Sequence, residues 1–332
     1  MLPPSPIRSE VDVIIPCYNA ESSLQRALNS VFSQTFRDFR VYAVDDGSTD
    51  GTRRVLGENK QFCTFVSQPN SGPAAARNRA LRMSDSPFVA FLDADDEWKP
   101  QKLRQQIDVL KQDESLGLVC TTCDTCEDGW HSTVTKSNHR FPSAGRLFAH
   151  LARECFVYTP TVVARRRCLE VAGFFNESLA VSEDFNLWLR IAARWNIAVL
   201  PDTLAVRHKR ANSISVTIPP ESRLRHGIAA LEHVRSTCSN LAEVESRALR
   251  HALADRYYFH GSYLLSTGAN YAARLSLTSA LRFRRLHWRA LAKLALGFTP
   301  IRLSLPLKTR DDHSDTPDRS VSLHTARKTR DA

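Results

Sequence analysis

Four short apolar runs recur through the N-terminal third of the chain: VDVIIP from Val11, FRVYAV from Phe39, FCTFVS from Phe62 and PFVAFL from Pro87. Each passes straight into polar or acidic residues. Runs of this length, rich in Val, Ile, Phe and Tyr, read as strands. Between them the spacing turns helical, with Leu24, Leu28, Val31 and Phe32 on one face and KLRQQIDVL as a further helix. Strand and helix in alternation predict an α/β fold with a mostly parallel, doubly wound sheet. In such sheets the ligand crevice lies at the carboxyl ends of the strands. Asp45, Asp46, Asp93, Asp95 and Asp96 all fall there.

The chain has 332 residues with 42% hydrophobic content, enough for one large domain and an accessory region. Beyond about Ser215 the strand signals fade into Ala/Leu/Arg-rich helical text, with Pro219 and Pro220 at the boundary. The expected division is a catalytic unit over 1–215, a basic helical region over 216–306 and a disordered tail over 307–332. The net charge of +10 attracts polyanions without choosing among them. Eight dispersed cysteines and the lack of a basic-then-apolar leader fit a reducing cytosol. No window approaches the roughly 18 apolar residues of a spanning helix, so membrane association is expected to be peripheral.

Asp93-Ala94-Asp95, at the end of FVAFL, is the sharpest chemical feature. Two carboxylates one residue apart, where strand alternation begins to break down, can both reach a hard divalent cation such as Mg²⁺ or Mn²⁺. The bland alternative is a solvated turn capping a helix that starts near Lys99. Asp45-Asp46-Gly47-Ser48 follows another strand; a carboxylate there can accept from a pyrimidine N–H or ribose hydroxyls, or it is an ordinary turn. NSGPAAARNRAL leads a Gly-Pro loop into a helix, setting backbone N–H groups and Arg77 where a nucleotide sits. A plain surface cation accounts for Arg77 equally well. Ser182-Glu183-Asp184 precedes a helix with Trp188, Ile191, Ala192 and Trp195 on one face. Ser182 as cap and two acids in the first turn are a sufficient structural account, and a carboxylate there is also a suitable general base.

Taken together and in order, VDVIIPCYNAESSLQRALNSVFSQTFRDFRVYAVDDGSTDGT, NSGPAAARNRAL, FVAFLDADDEW and GFFNESLAVSEDFNLWLRIA resemble glycosyltransferase family 2 over roughly residues 10 to 215. The resemblance implies a GT-A fold and an inverting single displacement. The donor is a nucleotide-diphosphate sugar, most often of uridine. The acceptor is a saccharide or lipid-linked saccharide in cell-surface polysaccharide or lipopolysaccharide synthesis. It implies that Pro16, Tyr18, Asn19 and Asp46 hold the nucleoside with Arg77 nearby. Asp93 and Asp95 are then the cation pair, with Asp93 also on the donor side, and Asp184 is the base. Glu183, Trp188 and Arg190 shape the acceptor side.

Two departures stand out. Many relatives carry a histidine three residues before an S-x-S pair, whereas Arg210 precedes Ser213-Ile214-Ser215 here. Arginine cannot ligate a metal but can grip phosphate in a bidentate way, or His208 substitutes. GFFNE also replaces the commoner GGFDE, which bears on acceptor selection. Cys120, Cys123 and Cys126 with His131 are read as a strand, not a zinc site; Trp195, Phe174 and Phe175 are read as core.

No acid separates Asp255 from Asp311, while ten Arg and Lys residues do. Around LHWRALAKLALGF, Arg285, Arg289 and Lys293 form one helical arc and Trp288, Leu291, Leu294, Ala295 and Phe298 the opposite one. A helix on the cytosolic surface of an anionic membrane and a helix packed on the catalytic domain account for this equally. Two other functions compete. Nucleotidyl transfer to a sugar phosphate needs a glycine-rich basic loop after the first strand, which VDVIIPCYNAESS lacks. A nucleic-acid module needs aromatics interleaved with its cations, which are not seen, so no nucleic-acid partner is expected.

Overall fold

The computed structural model describes residues 9–127, 130–132, 143–209 and 217–297. Arg210, Ser213, Ser215, Phe298 and the expected tail from 307 lie outside them. The chain opens as β1 (Val11–Cys17), α1 (Leu24–Phe32), β2 (Phe39–Asp45), α2 (Thr52–Glu58), β3 (Cys63–Ser67), α3 (Pro73–Met83) and β4 (Phe88–Phe91). β3, β2, β1 and β4 lie side by side and run parallel, as the alternation predicts. Successive β1 side chains point to opposite faces. Ile14 therefore enters the core beneath α3, while Val13 and Ile15 enter the one beneath α1.

Next come β5 (Glu97–Trp98), α4 (Lys102–Gln112), β6 (Leu116–Glu127), β7 (Trp130–Ser132), β8 (Ala144–Gly145) and α5 (Phe148–Arg153). A 3-10 turn (Thr159–Thr161), β9 (Val163–Arg165), α6 (Arg166–Ala172), α7 (Glu183–Ala192) and β10 (Asn196–Lys209) follow. The sheet continues past β4 as β9, β6, β10 and β5. β6 and β10 are parallel, but three-residue β9 is antiparallel to both neighbours and joins the two parallel blocks. The cysteine-rich segment is strand β6, with Cys120 and Cys123 buried and no disulfide among the described residues. Among the described residues no group of three metal-ligating side chains forms.

The C-terminal helices are α8 (Pro220–Thr237), α9 (Glu243–Ser266), α10 (Asn270–Phe283) and α11 (Trp288–Gly297). Leu231, Val234, Leu249 and Leu253 share one core with Phe185 and Trp188 of α7. The Asn186 amide donates to the Ala230 carbonyl at 2.8 Å, and Arg146 reaches Glu245 at 2.7 Å. α8 and α9 thus form a wall behind α7.

The amphipathic reading near the C-terminus needs correction. Arg284–His287 turn the chain, so α11 begins only at Trp288. Ala290 is buried and Leu294 packs inward, whereas Leu286, Trp288 and Leu291 remain exposed. Lys293 is half-buried, its amine 6.0 Å from the Tyr258 ring, rather than on an outward basic arc. No described helix is long and apolar enough to cross a membrane.

Candidate active site

The loops that leave β1 and β2 are laced together. The Asn19 amide oxygen accepts from Thr49 N at 2.9 Å while Asn19 N donates to Ser48 Oγ at 3.0 Å. Asp46 N donates to the Cys17 carbonyl at 2.8 Å. Asn19 holds a left-handed φ of 46°, a conformation asparagine tolerates better than most residues. Tyr18 stands 50% exposed beside this seam, and Pro16 is half-buried within β1.

Asp46 is buried. Its oxygens accept from Gln68 Nε2 at 2.8 Å, Ser71 N at 2.9 Å and Gly72 N at 2.8 Å. It therefore shapes the loop entering α3 and caps the approach to that helix. Gly47 sits at φ 75°, and a Cβ there would lie 2.7 Å from Asn70 N, so only glycine lets the two loops meet. Burial works to raise the Asp45 carboxyl, but hydrogen bonds from Ser48, Ser67 and Arg53 outweigh it and hold it below the usual range.

The acid loop follows β4. As expected, strand alternation breaks down there: the chain leaves β4 after Phe91 and turns over Asp93–Asp96, with Asp96 N donating to the Asp93 carbonyl at 3.0 Å. Asp93, Asp95 and Glu97 are half-exposed; Ala94, Asp96 and Trp98 are buried. The loop does not cap a helix near Lys99, because β5 intervenes and α4 starts at Lys102. Asp96 accepts from His208 N at 2.9 Å. Burial, then Asp93 and Asp95, push its carboxyl well above the usual range. His208 Nε2 lies 2.6 Å from Glu97 Oε1, and Arg26 lies 3.0 Å from the same oxygen. Burial, then Arg26, lower the His208 imidazole. His208 is thus beside the acid loop but tied to Glu97.

Arg77 is where the structure departs most from the sequence reading. It is neither a surface cation nor an open phosphate donor. On α3 it is 5% exposed, with one terminal nitrogen 2.7 Å from Asp93 Oδ1 and the other 2.7 Å from Glu183 Oε1. Its guanidinium lies 5.3 Å from the centre of the Phe175 ring. Burial opposes its charge, but Asp93 and Glu183 outweigh burial and raise its pKa. Glu183 is pushed up to about 7 by burial and by the adjacent Asp184, with Arg77 pulling the other way.

Asp184 is half-exposed at the start of α7. Its Oδ1 accepts from Phe185 N at 2.6 Å and its Oδ2 from Thr159 Oγ1 at 3.0 Å. Ser182 occupies the cap position at φ 66° but makes no side-chain capping bond. Trp188 and Arg190, expected on the acceptor side, do not face it. Trp188 is wholly buried, its ring 5.7 Å from that of Phe91 and 5.9 Å from that of Phe175. Arg190 is buried too, donating to Asn186 and to the carbonyls of Ala172 and Phe174. The reason is α7's position between the sheet and the C-terminal helices, which seals both side chains inside. Phe175 is core as expected; Phe174 and Trp195 are half-buried against it.

Sequence reasoning did not single out Arg26, Thr159 or Arg207. Arg207 stacks 4.5 Å over Tyr158, and its charge is held up chiefly by Asp96 against burial. The Thr-Pro pair at Thr159-Pro160 signals a turn, but nothing local connects it with Asp184.

A mixed α/β sheet with a parallel N-terminal block, helices on both faces and a C-terminal helical region is the GT-A architecture. Residues 12–171 match Glycosyl transferase family 2, and the chain belongs to that family. It is 30% identical over 193 residues to UDP-Glc:alpha-D-GlcNAc-diphosphoundecaprenol beta-1,3-glucosyltransferase WfgD of Escherichia coli, across 57% of this chain and 72% of that one. Its fold matches S. aureus TarS 1-349 in complex with UDP-GlcNAc at a TM-score of 0.68 and 20% identity, covering 87% of this chain and 89% of that one. It also matches mannosyltransferase PcManGT from Pyrobaculum calidifontis in complex with GDP-Man and Mn2+, at 0.57 and 23%, covering 87% and 79%. The chain spans only 32% and 52% of the length of two other curated relatives it matches, both uncharacterized glycosyltransferases.

Proposed function

We propose that this chain transfers a sugar, with inversion, from a nucleoside-diphosphate donor, a UDP-sugar, to a saccharide or lipid-linked saccharide acceptor in cell-surface polysaccharide synthesis. The observation that carries the reading is Arg77. By bonding Asp93 at one end and Glu183 at the other, it ties the acid loop after β4 to the Glu183-Asp184 pair that starts α7. The acceptor hydroxyl loses its proton to the Asp184 carboxylate as its oxygen bonds the anomeric carbon. The bond from that carbon to the nucleoside diphosphate breaks at the same time, and the diphosphate leaves with the electron pair. Attack from the face opposite the leaving group inverts the centre.

Tyr18 and the Asn19–Ser48 seam face the base and ribose, with Asp46 beside them holding the loop that enters α3. Asp93 and Asp95 fit a Mg²⁺ or Mn²⁺ ion: they are half-exposed oxygen donors one residue apart in the same turn, and such ions take one or two carboxylates with phosphates and water completing the set. When bound, the cation neutralises charge on the departing diphosphate. Arg210 or His208 serves the phosphates, and Glu183, buried against Arg77, supports the acceptor side without facing it. The basic C-terminal helices hold the chain at the cytosolic face of a membrane. Arg284, Arg285 and Arg289 there are exposed beside Leu286, Trp288 and Leu291, which suits anionic headgroups over an apolar interior.

Asp184→Asn removes the proton acceptor at constant size and lowers turnover by roughly 10²–10⁴-fold. Asp95→Asn raises the cation concentration needed for half-maximal transfer. Both are read by release of nucleoside diphosphate, with melting curves to confirm the fold. Near-normal turnover in Asp184→Asn ends the assignment of the base.

A further inference from the structure

The carboxylate of Asp184 is held from two sides by groups of different origin. Oδ1 takes the N–H of Phe185, the next residue along α7. Oδ2 takes the hydroxyl of Thr159, which lies 25 residues earlier and on another element. Thr159 is 4% exposed, so its hydroxyl is turned into the protein.

The turn that carries Thr159 is pinned on each flank. The Pro160 carbonyl accepts from Trp98 Nε1 at 2.7 Å, and Trp98 immediately follows the acid loop in β5. The Thr161 carbonyl accepts from Gln106 Nε2 at 2.8 Å, and Thr161 Oγ1 donates to the Tyr158 carbonyl at 2.7 Å. The Tyr158 ring lies under Arg207, whose charge is shared with Asp96 and Asp93. Proline restricts its own φ and so stiffens the turn. Thr159 is therefore a rigid donor whose position is set by the acid loop and the sheet, not by α7.

We infer that Thr159 is the positioning residue for Asp184. Its hydroxyl fixes the plane of the carboxylate toward the acceptor. The inference rests on Asp184 being the base. Two hydrogen bonds remove free rotation of the carboxylate. The other charged groups that act on it are Arg77 from α3 and Glu183 from its own helix. During transfer the acceptor proton passes to the carboxylate, while the threonine O–H keeps its hydrogen and remains a donor.

The test compares Thr159→Val, which keeps the shape and loses the hydroxyl, with Thr159→Ser, which keeps the hydroxyl, in the full chain. Thr159→Val is expected to lower kcat by roughly 10- to 100-fold through misalignment, with the donor KM little changed. Thr159→Ser restores most of the rate. Equal losses of kcat in both variants mean a packing role only and overturn the inference, as does wild-type kcat in Thr159→Val. Asp184→Asn, run alongside, separates the two levels. If it is inactive while Thr159→Val is normal, positioning alone is refuted; if it keeps turnover, the base assignment fails and the inference with it.

Discussion

Replacing Arg77 with methionine tests the electrostatic frame of the cleft. Met retains much of the stem's volume and removes a charge bonded at 2.7 Å to each of two carboxylates. Glu183 is the more buried partner, with 9% side-chain exposure against 31% for Asp93. Stripping one member from a buried pair costs about 3–5 kcal/mol, because the charge left behind has neither water nor partner. At roughly 2–4 °C per kcal/mol for a domain of this size, Tm falls by roughly 6–20 °C.

The deficit also has a pH signature. Glu183 titrates at about 7 in the fold against its ordinary 4.5, so ionising it opposes folding. Its contribution is fully present below the unfolded value and is lost as pH rises through about 7. Without Arg77 the carboxyl moves higher still, so the gap between variant and wild type widens toward alkaline pH. Thermal melts at about pH 5.5 and about pH 8 on wild type, Arg77→Met, Glu183→Gln and the double variant give both the size and the coupling. A deficit equal at the two pH values, or undiminished in the Glu183→Gln background, refutes the reasoning.

Two further outcomes follow from groups remote from the chemistry. Lys102 is wholly buried, its amine 4.2 Å from the Trp98 ring with no hydrogen-bond partner, and burial pushes its pKa well down. The unfolded chain binds a proton there that the fold releases, so stability rises with pH toward about 10.4. Lys102→Met raises Tm near neutral pH and flattens that rise; a lower Tm contradicts it. For the C-terminal helices, the Trp288→Glu, Leu291→Glu pair is expected to abolish co-flotation with vesicles containing phosphatidylglycerol, while wild type binds these in a salt-sensitive way and ignores neutral vesicles. Undiminished flotation of the pair removes the membrane assignment.

Much of this was legible in the sequence because the signals were local. Each apolar run became a strand, and because β2 and β4 flank β1 in parallel, the acids that follow them lie at the same end of the sheet. β9 escaped notice because three residues, Val163–Arg165, carry no periodicity, and its pairing with β4 and β6 is decided by packing. The roles of Trp188 and Arg190 were misjudged because an aromatic and a cation near a catalytic pair look the same in sequence whether they face a substrate or a core. Arg77 could be flagged from its position after a Gly-Pro loop. That it would join Asp93 to Glu183, 16 and 106 residues away, is a property of the folded sheet alone.

The wall that α8 and α9 build behind α7 bears on how such a chain can be cut or recombined. The family match ends at residue 171, ahead of Asp184. A fragment stopping near 215 flays the rear of the helix that carries this carboxylate. It strands the Asn186 amide and uncovers apolar surface now sealed by Leu231, Val234, Leu249 and Leu253. Chimeras that exchange the C-terminal helices between relatives therefore inherit a graft scar at the proton acceptor, and compensating changes belong on α8 around Ala230, opposite Asn186.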